Sequence, residues 1–183
     1  MRALMTDSEL ISSAIRSIPD HPKPGILFRD VTTLLGHALA FRTSIDLLCA
    51  QARTLEPQKV AGLESRGFIF GAAVAAQLGL AFVPIRKKGK LPAKVIRQQY
   101  ALEYGTDELE VHVDAVQPKE RVLVIDDLIA TGGTALAALA LLEKLDAHTV
   151  GASFVIDLPD LGGAQKLAAR GLAVHSLISF PGH

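Results

Sequence analysis

Hydrophobic and polar positions follow a helical period at the start of this chain. Residues 6–9 have the Thr-x-x-Glu spacing of a capping box, and apolar residues then recur on one face as far as Ile18. This pattern predicts an amphipathic first helix that continues until Pro19 stops it. A turn-rich segment at residues 21–25 then leads into a short apolar segment at residues 26–31.

A second amphipathic helix is followed by strands and helices in alternation. The helix is predicted from apolar residues at positions 41, 45, 48, 49, 52 and 55, and Cys49 on this stripe is interpreted as a packing residue. The predicted strands cover residues 60–63, 80–85, 122–125, 150–156 and 173–178, and the predicted helices cover residues 68–78, 134–145 and 163–169. Alternation of this kind is typical of βαβ units, so we expect one α/β domain with a mostly parallel sheet flanked by helices.

Composition excludes several classes of protein. The 183 residues are 49% hydrophobic, which argues against disorder, and 19 basic residues balance 19 acidic ones. No strong global charge is present to recruit nucleic acid or an anionic membrane, and no apolar run is long enough to span one. A single cysteine excludes an internal disulfide, and the Cys and His spacing excludes structural zinc. We therefore expect a cytoplasmic protein with neither nucleic acid nor membrane as a partner.

The segment at residues 122–134 combines a buried strand with polar chemistry. Its four aliphatic residues precede Asp126 and Asp127, and a short loop with paired glycines and threonines then opens a helix. Ligands of open α/β sheets bind beyond the carboxyl ends of the strands. Glycine lets backbone N–H groups approach an anion, and the helix N-terminus adds positive potential, so the loop is interpreted as a phosphate cradle.

Two carboxylates beside a phosphate cradle would repel a bare phosphate. We therefore expect Asp126 and Asp127 to contact sugar hydroxyls or a bridging Mg²⁺ on the same ligand. A phosphorylated sugar satisfies both halves of the motif.

This segment resembles the phosphoribosyl-pyrophosphate (PRPP) motif of type I phosphoribosyltransferases. Further segments resemble the bacterial, adenine-specific branch of that family, and they lie at residues 24–30, 62–71, 84–92, 100–105 and 180–183. The resemblance spans essentially the whole chain. It implies the type I phosphoribosyltransferase fold in a single domain at residues 1–183, with a small N-terminal hood at about residues 1–35 and a flexible hairpin loop at about residues 86–105.

The resemblance also implies a reaction and a set of PRPP contacts. The phosphoribosyl group of PRPP would pass to adenine, giving AMP and pyrophosphate, with Mg²⁺ as cofactor. Asp126 and Asp127 would hold the ribose hydroxyls directly or through the metal. The 5′-phosphate would be bound by Ala130, Thr131, Gly132, Gly133 and Thr134.

The pyrophosphate side is assigned to two segments by the same resemblance. The first is Glu64, Ser65 and Arg66, with a cis peptide expected between Glu64 and Ser65. The second belongs to a run of six cations and no anion between Ile85 and Gln98, from which Arg86, Lys87 and Lys90 are expected to reach pyrophosphate. A solvated basic loop is the default interpretation of such a run, but its position after a core strand favours polyanion binding.

The resemblance assigns the remaining roles to the hairpin and the hood. Glu103 would perform acid–base work on the purine, with Arg86 as a second catalytic residue, and the hairpin would close over the site and exclude water. The adenine ring would lie among Leu27, Phe28 and Arg29. Basic loop residues serve the partner subunit in this family, so a homodimer is expected.

Two other functions compete with this interpretation. A xanthine or hypoxanthine phosphoribosyltransferase is the nearer alternative, although enzymes for 6-oxopurines typically place a lysine where residues 156–160 have none. A PRPP-sensing regulator would need a basic nucleic-acid surface or an added helix-turn-helix, and neither pattern is found in the sequence.

Overall fold

The computed structural model describes residues 5–101 and 105–182. The α-helices are α1 (Asp7–Ser13), α2 (Thr32–Leu35), α3 (Ala38–Leu55), α4 (Gly67–Leu78), α5 (Gly133–Lys144) and α6 (Gly163–Ala168). The β-strands are β1 (Arg16–Ile18), β2 (Phe28–Asp30), β3 (Lys59–Leu63), β4 (Ala81–Lys87), β5 (Val95–Ala101), β6 (Thr106–His112), β7 (Arg121–Ile129), β8 (His148–Asp157) and β9 (Val174–Ser179). A short 3-10 helix at Pro159–Leu161 follows β8.

A seven-stranded sheet with the order β5-β6-β4-β3-β7-β8-β9 forms the centre of the fold. Strands β4, β3, β7, β8 and β9 run parallel, and β5 and β6 form an antiparallel hairpin at one edge. Strands β1 and β2 pair in a separate two-stranded sheet. The parallel strands end at a common edge, which is where such sheets bind ligands.

Helices cover both faces of the sheet, because the central strands carry apolar residues on both sides. Leu141 and Leu142 of α5 pack on one face, and Phe70 of α4 packs with Leu48 of α3 on the other. Cys49 is completely buried in the second cluster, as its predicted packing role requires. The predicted α/β architecture is confirmed.

The first helix ends earlier than its hydrophobic spacing predicts. The capping box of Thr6 and Glu9 is present, but α1 stops at Ser13. Residues 16–18 instead form β1, which pairs with β2 and is held by an ion pair between Arg16 and Asp30. The prediction of helix up to Pro19 is therefore wrong at its end, because pairing with a distant strand outweighs local periodicity.

Several core strands extend further than predicted, and two of these extensions include predicted site residues. Strand β7 continues beyond Ile125 to Ile129, because Leu128 and Ile129 still pair with β8. Asp126 and Asp127 consequently lie inside a strand and not in the loop that follows it. Strand β4 likewise continues through Arg86 and Lys87, which pair with β6.

Helices long and apolar enough to cross a membrane are not found in residues 5–101 and 105–182.

Candidate active site

A pocket of about 650 Å³ lies at the carboxyl edge of the parallel sheet. Four segments line it: the loop after β3, the carboxyl end of β7 with the loop to α5, the loop after β4, and the β5–β6 hairpin. Among the predicted site residues, it brings together Glu64, Ser65, Arg66, Lys87, Lys90, Asp126, Asp127, Ala130, Thr131, Gly132, Gly133 and Thr134. The motifs that the sequence separates by up to seventy positions therefore meet in one place.

The loop between β7 and α5 has the form of an anion cradle. Gly132 adopts φ +83°, a left-handed conformation that glycine takes without strain, and α5 begins at the next residue. No side chain in the described part of the protein caps this helix start. Its first N–H groups are therefore free to meet a ligand at the positive end of the helix.

Close packing behind the cradle fixes its shape. Gly163 donates its N–H to the Ala130 carbonyl at 2.9 Å, and a Cβ on Gly163 would lie only 2.3 Å from that oxygen. Lys166 donates from Nζ to the Thr131 carbonyl at 2.9 Å. Two cradle carbonyls are thus hydrogen-bonded to residues of α6.

The two aspartates at the end of β7 have different environments. The Asp127 side chain is 5% exposed, and its Oδ2 lies 2.6 Å from Arg66 Nε. Asp126 Oδ1 accepts the Asp127 N–H at 2.9 Å and packs against Gly67, where a Cβ would lie 2.6 Å from it. Burial, followed by the charge of Asp127, raises the pKa of Asp126.

Glu64 contacts cations of the basic loop and not open solvent. Its carboxylate accepts hydrogen bonds from Arg86 Nε at 3.3 Å, the Lys87 N–H at 3.0 Å and the Lys90 ammonium. Burial opposes ionisation of Glu64, but the bonds from Lys90 and Lys87 outweigh it and lower the pKa of this carboxyl. The peptide bond between Glu64 and Ser65 is cis, as predicted.

Five residues of the pocket wall were not singled out as site residues by the sequence, namely Tyr100, Asp107, Leu128, Ile129 and Ala135. Tyr100 donates from its hydroxyl to Asp107 Oδ2 at 3.1 Å, and Lys87 Nζ lies 3.1 Å from the same oxygen. A Cβ on Gly133 would lie 3.6 Å from Tyr100 Cδ2, so the hairpin packs directly on the cradle. Leu128 and Ile129 of β7 and Ala135 of α5 also line the pocket. The sequence of β5, VIRQQYA, does not alternate polar and apolar residues, so no periodic signal indicated the Tyr100 side.

Other predicted site residues do not line this pocket. Arg86 lies behind Lys90 and donates from Nη1 to its carbonyl at 3.0 Å. Phe28 lies outside the pocket but close to Arg66, whose guanidinium carbon is 5.7 Å from its ring centroid. Arg29 stacks at 4.1 Å on the ring of Phe180.

Leu27 also does not line the pocket, although it precedes β2 in the same segment as Phe28. Glu103, the predicted acid–base residue, lies outside the described residues.

Metal-binding clusters of three or more His, Cys, Asp or Glu are not found within residues 5–101 and 105–182. The charged side chains of the pocket wall are three cations and four carboxylates, namely Arg66, Lys87, Lys90, Glu64, Asp107, Asp126 and Asp127. The wall thus carries no excess of positive charge.

Comparison with known proteins relates this geometry to a family. The Phosphoribosyl transferase domain matches residues 35–173. An adenine phosphoribosyltransferase of Rhizobium leguminosarum is 60% identical over 178 residues, which cover 97% of this chain and 98% of the relative. The chain belongs to the adenine phosphoribosyltransferase family. Another relative with that name, from Bradyrhizobium sp., is 62% identical over 94% of this chain and 97% of its own length.

Solved adenine phosphoribosyltransferases share the type I phosphoribosyltransferase fold of this chain. The enzyme of Rhodothermus marinus has a TM-score of 0.88 at 46% identity, covering 95% of this chain and 98% of its own. The enzyme of Saccharomyces cerevisiae, complexed with an imino-altritol bisphosphate and adenine, has a TM-score of 0.89 at 35% identity. The match covers 95% of this chain and 99% of the yeast chain. The predicted family and fold are confirmed.

Proposed function

We propose that this protein transfers the 5-phosphoribosyl group of PRPP to adenine and releases AMP and pyrophosphate. The observation that carries the proposal is the meeting, in one pocket, of a helix-start cradle, an adjacent aspartate pair and a basic loop. The family membership supports adenine as the acceptor.

The 5′-phosphate is bound by the loop from Ala130 to Thr134. Backbone N–H groups and the hydroxyls of Thr131 and Thr134 donate to its oxygens, and the start of α5 contributes favourable potential. Since these donors are fixed by packing against Gly163, little reorganisation is needed when the ligand arrives.

Asp126 and Asp127 contact the ribose hydroxyls and Mg²⁺. In phosphate sites Mg²⁺ is held by one or two carboxylates together with substrate oxygens and water. A pair of carboxylates with no third protein ligand among the described residues fits this metal. When bound, the ion would neutralise part of the charge of PRPP. The wall itself has four carboxylates against three cations, so its own residues do not balance that charge.

The pyrophosphate side comprises Ser65, Arg66, Lys87 and Lys90, together with the backbone at Glu64. The Glu64 carboxylate holds Lys90, and Arg86 supports that lysine from behind. When the ligand binds, these cations exchange some of their hydrogen bonds to carboxylates for hydrogen bonds to phosphate oxygens. Release of pyrophosphate then restores the internal pairs.

Adenine binds beside the hood segment of Leu27, Phe28 and Arg29. The contact of Phe28 with Arg66 supports this placement, because it joins the hood to the pyrophosphate loop. Glu103 takes the proton that the purine loses as the new bond forms. Arg86, the other residue predicted to be catalytic, does not line the pocket and acts by supporting Lys90. The domain at residues 1–183, with its hood at about residues 1–35 and its flexible loop at about residues 86–105, forms a homodimer in the cytoplasm.

A turnover assay tests the proposed function. The protein is incubated with PRPP and Mg²⁺ and with adenine, hypoxanthine or xanthine in separate reactions, and nucleotide and pyrophosphate are quantified. We expect AMP and pyrophosphate in equal amounts from adenine and much slower turnover of the 6-oxopurines. No nucleotide from any base would refute the enzyme, and faster turnover of hypoxanthine would refute the adenine assignment. Asp146→Asn changes only an exposed ion pair and should keep this activity, so it serves as the control when variants of pocket residues are assayed.

A further inference from the structure

Three consecutive backbone N–H groups of the loop after β4 converge on one carboxylate. Glu110 Oε1 accepts the N–H groups of Lys90 and Leu91, each at 2.9 Å, and the N–H of Gly89 also bonds to this carboxylate. Gly89 adopts φ +80°, which turns the chain so that its neighbours face the same point. Successive N–H groups in such a turn form a concave anion site, and here Glu110 occupies it.

Glu110 is completely buried, which is exceptional for a glutamate. It lies in β6 opposite Arg86 of β4 and Arg97 of β5, and Arg97 Nε lies 3.2 Å from its Oε2. The three N–H groups and Arg97 satisfy the charge. A carboxylate buried in this way holds residues 89–91 against β6, since releasing them would leave the charge unpaired.

Lys90 is the residue that this arrangement fixes. Its N–H donates to Glu110, its carbonyl accepts from Arg86 Nη1 at 3.0 Å, and its ammonium bonds to Glu64 in the pocket wall. Lys90 lines the pocket, whereas Glu110 does not. Any effect of Glu110 on a ligand therefore passes through the loop.

We propose that Glu110 is a positioning residue that holds the Lys90 ammonium at the pyrophosphate side of the pocket. The inference rests on the proposed function, in which Lys90 contacts pyrophosphate. Without Glu110, the backbone of the loop at residues 89–91 loses its common acceptor and Lys90 samples many orientations. PRPP must then order the lysine as it binds, which weakens the interaction.

A double-mutant cycle tests this role. Glu110→Leu, Lys90→Ala and the double variant are compared for kcat and for KM of PRPP and of adenine. We expect each single variant to lower kcat/KM for PRPP about tenfold, the loss typical of one hydrogen bond to a charged group, with KM for adenine changed less than about twofold. In the Lys90→Ala background, Glu110→Leu should add less than about a twofold effect, because both changes remove the same contact.

Two further variants separate positioning from general support of the fold. Glu110→Gln keeps an oxygen acceptor for the N–H groups of the loop, so we expect it to recover most of the kcat/KM for PRPP that is lost in Glu110→Leu. If Glu110→Leu does not fold, Glu110→Gln takes its place in the cycle. Glu120→Leu is the matched control. Glu120 is also a largely buried carboxylate that accepts a backbone N–H, from Gln117 at 2.8 Å, and pairs with Lys59, but it does not line the pocket.

The outcomes distinguish the proposals. Fully additive losses in the cycle, or an equal PRPP defect in Glu120→Leu, overturn the role of Glu110. A Lys90→Ala variant with unchanged kcat/KM for PRPP overturns the pyrophosphate role of Lys90 and the present inference with it. The proposed reaction itself fails only if the unaltered protein forms no AMP.

Discussion

Arg66 Nε lies 2.6 Å from Asp127 Oδ2, so a residue of the loop after β3 is paired with a residue at the carboxyl end of β7. The Asp127 side chain is 5% exposed and that of Arg66 is 36% exposed. Arg66 can therefore turn to solvent or ligand, whereas Asp127 cannot leave. The pair thus places the Arg66 guanidinium between the proposed ribose and pyrophosphate sites.

Replacing Asp127 with Asn is expected to impair use of PRPP. The change removes both the ion pair and a charged acceptor for the ribose, so kcat/KM for PRPP should fall about 10- to 100-fold in steady-state assays. Asp146→Asn in the exposed pair with Lys119 is the control and should change this ratio less than about twofold. Equal PRPP kinetics in Asp127→Asn and its control would remove Asp127 from the site.

Gly163→Ala is expected to damage the phosphate cradle from outside the pocket. The new Cβ would lie 2.3 Å from the Ala130 carbonyl and 2.7 Å from the Gly132 nitrogen, so the loop must shift. We expect a loss of about 1–3 kcal/mol in the free energy of unfolding and a higher KM for PRPP. Gly36→Ala is the control, because its Cβ would meet the nearest atoms at an ordinary 3.6 Å. A Gly163→Ala protein with normal KM would contradict the fixed geometry of the cradle.

The hood should respond to acid through Asp30. Hydrogen bonds from Thr32, followed by Arg16, lower the pKa of Asp30 from 3.8 to about 2. The folded state therefore favours the ionised carboxylate, and this stabilisation is present above about pH 4 and is lost as the pH falls towards 2. Urea unfolding of Asp30→Asn should show reduced stability at pH 7 and a smaller difference from the unaltered protein at lower pH. The exposed Asp114→Asn is the control, with a change of less than about 0.5 kcal/mol expected at pH 7. A difference that stays constant with pH would contradict the assignment.

Removal of divalent cations should weaken PRPP binding. The pocket wall has four carboxylates and three cations, so it does not balance the charge of PRPP without a counter-ion. By titration calorimetry, the Kd of PRPP should be at least about tenfold higher in excess chelator than in Mg²⁺. One charge contact is worth on the order of 1–4 kcal/mol near a protein surface. An unchanged Kd in chelator would argue against a metal-bridged ligand.

The sequence was most informative where several physical signals coincide. Val122 to Ile125 could only suit a strand buried on both faces, and the glycines and threonines that follow it have few structural alternatives to an anion loop. The position of the ligand site at the carboxyl edge of the sheet then followed from the βαβ alternation. The α/β fold and an anion-binding loop were therefore predictable from the residues themselves, whereas PRPP as the ligand was implied by the family resemblance.

The errors lie where distant pairing decides the local structure. Ile18 fits a helical stripe, yet it pairs with Phe28 in a small sheet. Asp126 lies beyond the predicted strand at residues 122–125, yet it pairs with Phe154 of β8. No local pattern indicated that Glu110 would be buried beneath the loop of Lys90, because that contact depends on how the hairpin docks against β4.

The most direct test of the account is a crystal structure of the protein with AMP bound. The account predicts the 5′-phosphate within hydrogen-bond distance of the backbone nitrogens of residues 131–134, the ribose hydroxyls at Asp126 and Asp127, and the base beside Phe28. A phosphate bound instead at Lys87 and Lys90, with the loop of residues 130–134 empty, would contradict it.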